Sequence, residues 1–434
     1  MRHVIFALML AALVIPAATA QAQAQEPPAA AAVQSAIEAR ADEVVALLNG
    51  KVAPEDVFSK GFQAAVPAAQ IKVLSANLTA QFGPAVEATL LEPRAGTRAA
   101  LEIRFERGLA KGDIGIDPAE DNRVSLLLFT SVDSLSVAGD TPEKIAADLA
   151  ALPGSVNAWF GPLDGSAPVI SIGADTPIAL GSSFKLYVLA ALAEDVKAGR
   201  RKWSYVVLLT EKSYPSGQLQ DWPRGAPVTL HTLASLMIAI SDNTATDQLI
   251  DVLGKDRIVK LMKDSGNSDP GANDPLLTTR ELFLLKASDD ETIAAWRSGM
   301  AAPMAAVASA LSFEDPSLDQ INAAFANGPK ALDIEWFASP TDLAKLMAHM
   351  RRTADPAAFD IMAINPSTTP SIKANWDYIG YKGGSEPGVM NLTWLLRDKA
   401  GRDHVLTLGW NNSAAVLDEG KLSAIAQRIL LLPH

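Results

Sequence analysis

The chain has 434 residues, 49% of them apolar, which is material for the cores of two or three domains. A formal charge of -12 without any Lys/Arg-rich run excludes a nucleic-acid footprint. The lack of cysteine excludes disulfides, thiolate nucleophiles and cysteine-bound metals, so packing alone must hold the fold.

In chain order, residues 1–20 begin with Arg2 and His3, continue with the apolar run VIFALMLAALVIP and end small-x-small at Ala18-Thr19-Ala20. This pattern predicts a secretory signal peptide and a periplasmic or secreted protein. The run is shorter than the roughly 20 residues of a spanning helix, so no stable membrane span is expected in the mature form. QAQAQEPPAAAA, at 21–32, reads as a flexible leader. Helical periodicity follows through Val33, Ile37, Val44, Leu47 and Leu48, then through Ile71, Leu74 and Leu78. Alternation in AALEIRF, GDIGID and RVSLLLF then predicts strands, making 33–140 a small α+β domain. Its acids, such as Glu102, Asp113 and Asp117, fall at strand ends or on the polar face and read as solvated.

The stretch AGDTPEK opens a second domain, 141–434. SVNAWFGPLDGSAPVISIG predicts a strand pair turning at Asp164-Gly165, and ALGSSFKLYVLAAL a buried helix. VTLHTLASLMIAISDNTATDQLIDVLG gives two helical faces interrupted by Ser241-Asp242-Asn243, and 287–360 is Ala-rich and helical in pattern. The chain closes with strands in NLTWLLRD and DHVLTLGW and the amphipathic helix EGKLSAIAQRILLL. The fold class is α+β throughout.

Three short motifs could carry chemistry. Ser182 and Lys185, at i and i+3, share one face at a helix N-terminus, where the helix dipole disfavours a cation. Burial and that dipole both favour the neutral amine, the form able to take a proton from a serine hydroxyl. Ser241-Asp242-Asn243 and Lys382-Gly383-Gly384 follow. Singly they suit a helix, a cap and a loop; together, in this order and spacing, they resemble the Ser-x-x-Lys, Ser-Asp-Asn and Lys-Thr/Ser-Gly set of class A β-lactamases and penicillin-binding proteins. The resemblance covers roughly 140–434 and implies an antiparallel sheet packed with helices plus an all-helical subdomain. It implies Ser182 as nucleophile, Lys185 as base, Ser241 as proton relay, and Asn243 and Lys382 as holders of a substrate amide and carboxylate. It further implies Gly384 and Ser385 of the third motif as substrate-binding residues, with the N–H groups of Ser182 and Ser385 forming an oxyanion hole. It implies no cofactor and no metal, and a small-molecule substrate: a β-lactam, an ester or a peptide-like acyl compound.

Two departures qualify that expectation. Class A enzymes carry a Glu-x-x-Leu-Asn loop after Ser-Asp-Asn, whose glutamate activates the deacylating water. Here KLMKDSGNSDPGANDPLLTTREL holds no glutamate before Glu281, which falls in a helix-like segment, while Asp264, Asp269 and Asp274 read as turn residues. Gly383 also replaces the usual Thr or Ser. An esterase, a D,D-peptidase-like hydrolase or a β-lactam-binding protein without turnover therefore stand as alternatives to a working β-lactamase. The first domain resembles the nuclear-transport-factor-2 or steroid-isomerase cone, and the two together, with IEWFASPTDLAKLM at 334–347, are similar to the two-domain β-lactamase-like proteins of clavulanic acid gene clusters. His231, His349 and His404 lack ligand spacing, which argues against a zinc site or a Ser-His-Asp triad. Trp159, Trp336 and Trp394 read as core, whereas Trp222, in QLQDWPRGAP, or Tyr214 is expected to line the pocket.

Overall fold

The computed structural model describes residues 28–94, 96–135, 139–300, 304, 306, 307 and 317–433. The expected signal peptide and most of the expected leader lie outside these residues. The last part of that leader is a correction: a helix runs Pro28–Leu48, so Pro28–Ala32 is helical. Proline is suited to a first helical position and the alanines after it are the best helix formers.

The helix buries Ile37, Ala41, Val44, Leu47 and Leu48 against an antiparallel meander of β1 (Ala85–Pro93), β2 (Arg98–Phe105), β3 (Gly108–Asp117) and β4 (Arg123–Ser134), paired in that order. Leu101, Ile103, Phe105, Ile114 and Ile116 alternate into this core. β1 is a strand the sequence pattern did not disclose, because register shifts at Ala85/Glu87 and Leu90/Pro93 break its alternation. A further helix, Ala68–Phe82, buries Ile71 and Leu78 but leaves Leu74 exposed. Glu102 faces Lys111 at 3.4 Å, Asp113 faces Arg94 at 3.3 Å, and Asp117 accepts from Ala119 N, which are surface and capping roles.

Thr141 caps the helix Pro142–Ala150, which leads into the second part. There β5 (Ser155–Pro162) turns back into β6 (Ile170–Ile172), with Asp164 accepting from Ser166 N. Two-residue β7 (Ile178–Ala179) precedes the Gly181–Phe184 turn and the helix Lys185–Lys197. β8 (Val206–Leu208) pairs with β9 (Pro227–Thr229), and β10 (Phe337–Ala338) pairs with β7. β11 (Tyr378–Glu386), β12 (Val389–Arg397) and β13 (Asp403–Asn411) complete an antiparallel sheet in the order β11-β12-β13-β5-β6. The strand period of two divides this sheet between two cores. Leu395 and Val405 face the Lys185–Lys197 helix and its helical neighbours, while Leu392, Trp394, Leu396, Leu406 and Leu408 face the C-terminal helix Glu419–Leu430.

The two parts of the chain touch directly. Ser371 donates to Asp133 (N to Oδ1, 2.9 Å) and to the Ser134 carbonyl (Oγ to O, 2.8 Å), Ser134 Oγ donates to Gln427 Oε1, and Arg428 pairs with Asp140 at 2.7 Å. Ala80 of the Ala68–Phe82 helix lies so close to Gly420 that a Cβ added there would sit 2.6 Å from the alanine methyl.

Candidate active site

The Lys185–Lys197 helix is buried almost all round, which fixes its first turn rigidly. Phe184 stacks on Trp336 with ring centroids 3.7 Å apart, Leu180 N donates to the Trp336 carbonyl at 2.9 Å, and Ser183 Oγ reaches the carbonyls of Lys382 and Asn391 at 3.4 Å each. Ser182, between these anchors, stays half-exposed at the mouth of a cleft of about 500 Å3. Across it runs β11, where Gly384 is obligatory: a Cβ there would lie 2.3 Å from Leu180 O and 2.4 Å from Ser182 N. The absent side chain lets β11 and the Gly181–Phe184 turn approach backbone to backbone, with Ser182 and Ser385 both on the cleft.

Ser241 and Asn243 come from a turn and a helix start, held by a buried carboxylate. Asp242 accepts from Ala245 N at 2.8 Å as the cap of the helix Asn243–Leu253, and from Gln218 N and Leu219 N at 2.7 and 3.0 Å. Ser241 sits at φ 59, a left-handed backbone uncommon for a non-glycine residue and found preferentially where function demands it. That conformation aims its hydroxyl between two amines. Lys185 Nζ donates to Ser241 O (2.8 Å), Ser241 Oγ (3.2 Å) and Asn243 Oδ1 (2.6 Å), and Lys382 Nζ donates to the same Ser241 Oγ at 3.0 Å and to Gly383 O.

Neither amine keeps its ordinary basicity. Burial pulls Lys185 down from 10.5 to about 7, against the opposing charges of Asp247 and Asp242. Lys382 is also lowered well below its ordinary value, first by burial and then by repulsion from Lys185. Two ammonium groups sharing one hydroxyl are unfavourable, so the geometry supplies a neutral amine near neutral pH. Among the hydrogen bonds of Lys185 described above, none reaches Ser182 Oγ; contacts of this kind commonly tighten only once substrate is bound. The structure therefore brings Ser182, Lys185, Ser241, Asn243, Lys382, Gly384 and Ser385 together around one cleft, with Lys185 reaching it through Ser241 and Asn243.

A model of the beta-lactamase enzyme family matches residues 141–429, more than half of the chain. The chain belongs to that family. No curated protein matches it. Solved structures similar to it include a β-lactamase from Sphaerobacter thermophilus DSM 20745 (22% identity, 68% of this chain and 98% of that one, TM-score 0.46) and a β-lactamase from Francisella tularensis (12%, 67% and 96%, 0.46). Another is a mutant of PBP-A as an acyl-enzyme complex with penicillin G (19%, 66% and 95%, 0.44). At such identities and TM-scores these likenesses carry no argument about activity.

Within this β-lactamase-family domain the departures acquire physical form. Glu281 is no general base: it closes the capping box with Thr278 and pairs with Lys255 at 2.6 Å. Asp264 pairs with Lys260, and Asp269 caps the Pro270–Asn273 turn. On the cleft itself the helix Thr279–Ala287 presents Phe283, an apolar wall that the sequence reading missed. Buried Asp247 sets that helix in place by accepting from Thr279 N and Arg280 N at 2.7 and 2.9 Å. The glycine at 383 has a reason too. A Cβ there would lie 2.1 Å from Tyr381 Oη, so the phenol fills the space in which a Thr or Ser side chain would stand. Burial raises the Tyr381 pKa, which keeps the hydroxyl protonated. The strand period, which puts residues 381 and 383 on one face, was the available signal.

Trp222 and Tyr214 are corrections, since neither is among the residues around the cleft. Asp242 draws the 217–219 backbone inward, Pro215 and Ser216 take the rim, and Trp222 points to solvent, 43% exposed. Tyr214 contributes its carbonyl, which accepts from Asn243 Nδ2 at 3.0 Å. Of the tryptophans, Trp336 and Trp394 are buried and Trp159 is half-buried. His231 meets Trp203 edge to face, His349 pairs with Glu194, and His404 pairs with Asp398, all within packing contacts. Among the described residues no helix is long and apolar enough to cross a membrane.

Proposed function

We propose that the protein is an exported serine acyl hydrolase that cleaves esters and activated acyl groups through Ser182 and holds β-lactams as slowly released acyl-enzymes. The observation that carries this reading is the Ser241 hydroxyl placed between two buried amines beside an accessible Ser182, in a cleft that Phe283 also lines and where no Asp is among the described lining residues. Neutral Lys185 takes the Ser182 proton through Ser241 as Oγ attacks the acyl carbon. The N–H groups of Ser182 and Ser385 hold the oxyanion, and the proton returns through Ser241 to the departing oxygen or nitrogen.

Deacylation separates the substrate classes. An ester's alcohol leaves the cleft, so water enters the vacated space and Lys185 can accept its proton. A β-lactam's nitrogen stays tethered to the acyl group and keeps that space filled, and Phe283 offers no second base. Export rests on the pattern of residues 1–20. The helix-on-meander form of the N-terminal part supports the nuclear-transport-factor-2-like reading, and with it the likeness to the two-domain proteins of clavulanic acid gene clusters. The test is to incubate the protein and Ser182→Ala with p-nitrophenyl acetate, a 3'-acetoxy cephalosporin and a chromogenic cephalosporin, following product and intact mass together. Ser182-dependent ester turnover with a persistent β-lactam adduct is expected. Rapid β-lactam turnover, or ester cleavage that survives Ser182→Ala, overturns the reading.

A further inference from the structure

On its β12 side the cleft adjoins a second cavity of about 850 Å3, and Leu392, Glu419 and Ser423 line both. The far wall of that cavity belongs to the N-terminal domain: Ala76, Asn77, Ala80 and Gln81 of the Ala68–Phe82 helix. Each space alone has the size of a small-molecule site, and a minimal ester at Ser182 would leave the larger one empty.

The lining has a distinct chemistry. Among the described residues its only charged side chains are Asp418 and Glu419, and no lysine or arginine faces it. Asp418 is used as a helix cap, accepting from Lys421 N, whereas Glu419 is exposed and makes no ion pair among the described residues. The side-chain amides of Asn77 and Gln81 and the hydroxyl of Thr368 add neutral hydrogen-bonding groups, and Thr368 Oγ1 is buried with no partner. Buried Trp394 supplies an apolar floor.

We propose that cleft and cavity form one trough shared by the two domains, which takes acyl substrates carrying an extended tail that is uncharged and hydrogen-bonding or cationic, seated against the Ala68–Phe82 helix. This rests on the acyl-hydrolase reading of Ser182 and adds the substrate class and the role of the first domain. An anionic tail is disfavoured by Glu419 and meets no compensating cation.

The full mature chain tests it with p-nitrophenyl esters of acetate and of six-carbon acyl chains ending in amine, carboxamide or carboxylate, and with thioacetates bearing the same tails on the thiol side. Amine and carboxamide tails are expected to raise kcat/KM over acetyl at least about tenfold in one of the two series, the carboxylate tail not. Ala76→Trp, which fills the trough, is expected to bring the tailed-to-acetyl ratio close to one. Asn77→Leu, which removes only hydrogen bonding, should lower it partly, and serves if the bulky variant does not fold. A ratio near one in the unaltered protein, a ratio insensitive to both variants, or a preference for the carboxylate overturns the proposal. If no ester is cleaved in a Ser182-dependent way, the hydrolase reading falls alone. Calorimetric binding of 6-aminohexanamide to Ser182→Ala, lost in Ser182→Ala/Ala76→Trp, then sustains the trough, and absence of binding overturns it.

Discussion

Lys185 sets a test of the electrostatics on which the site depends, namely Lys185→Met compared with the unaltered protein across pH. The amine has a pKa of 10.5 in a free chain and about 7 when folded, through burial. Between those values the unfolded chain carries the proton and the folded one does not, so unfolding takes up a proton and stability rises with pH. Below about 7 both states are protonated and the folded protein bears the full penalty of a buried ammonium. A separation of that size corresponds to about 5 kcal/mol in total, of which about 2 kcal/mol is relieved between pH 7 and pH 9. Methionine has nearly the same reach and no titration. Its loss of Lys185's charge also lets the Lys382 amine recover basicity, which removes further pH dependence from the variant in the same direction. Urea unfolding followed by tryptophan fluorescence should therefore show a stability gain from pH 7 to 9 about 2 kcal/mol smaller in Lys185→Met. The ester kcat/KM of the unaltered protein should rise through about pH 7 as the amine becomes neutral. A pH-independent difference between the two proteins would refute the depressed lysine, and with it the base assigned to the acylation step.

Other parts of the structure give shorter tests. Gly384→Ala sets a methyl against Leu180 O and Ser182 N, which should cost about 1 to 3 kcal/mol in stability and displace Ser385 enough to lower ester kcat/KM about 10² or more; both are read from calorimetry and initial rates. Lys286, fully buried between Glu335 at 3.0 Å and Glu386 at the end of β11, holds both carboxyl groups, of which that of Glu386 has its pKa pushed up to about 8 by burial and by Glu335. Lys286→Met strands them and should destabilise by about 3 to 5 kcal/mol in urea unfolding, whereas adding Glu335→Gln and Glu386→Gln to it should restore most of the loss. Phe283→Glu puts a carboxylate on the cleft beside Ser182, and, if it can position water as the proposed reading requires, intact-mass decay of a penicillin adduct should be about 10² faster, the effect of one general base.

The parts of the site that could be read from sequence are those in which the chemistry lies within one helical turn or one strand. Ser182 and Lys185 share a face because three residues nearly complete a turn, and Ser241-Asp242-Asn243 is a cap whose sequence states its own geometry. Phe283 was illegible because Asp247, on a different helix, seats the Phe283 helix by accepting two N–H groups at its start. Trp222 was misplaced for a related reason. A loop's composition does not disclose which of its residues a buried carboxylate will pull inward, and here Asp242 takes the backbone of Gln218 and Leu219. β1 was lost to its register shifts.

Least legible is the space between the domains, since it depends on how closely Ala80 lies on Gly420 and on a serine network joining Ser134, Ser371 and Gln427. No local pattern encodes such a docking, yet it sets which residues of the first domain line the cavity beside the cleft. The same motifs around Ser182 would serve a short ester or a long one equally well. On the proposed acyl-hydrolase reading, the three motifs specify the bond that is broken, and the proposed trough between the domains specifies what is attached to it. Substrate range should accordingly respond to changes on the Ala68–Phe82 helix that leave the three motifs unaltered.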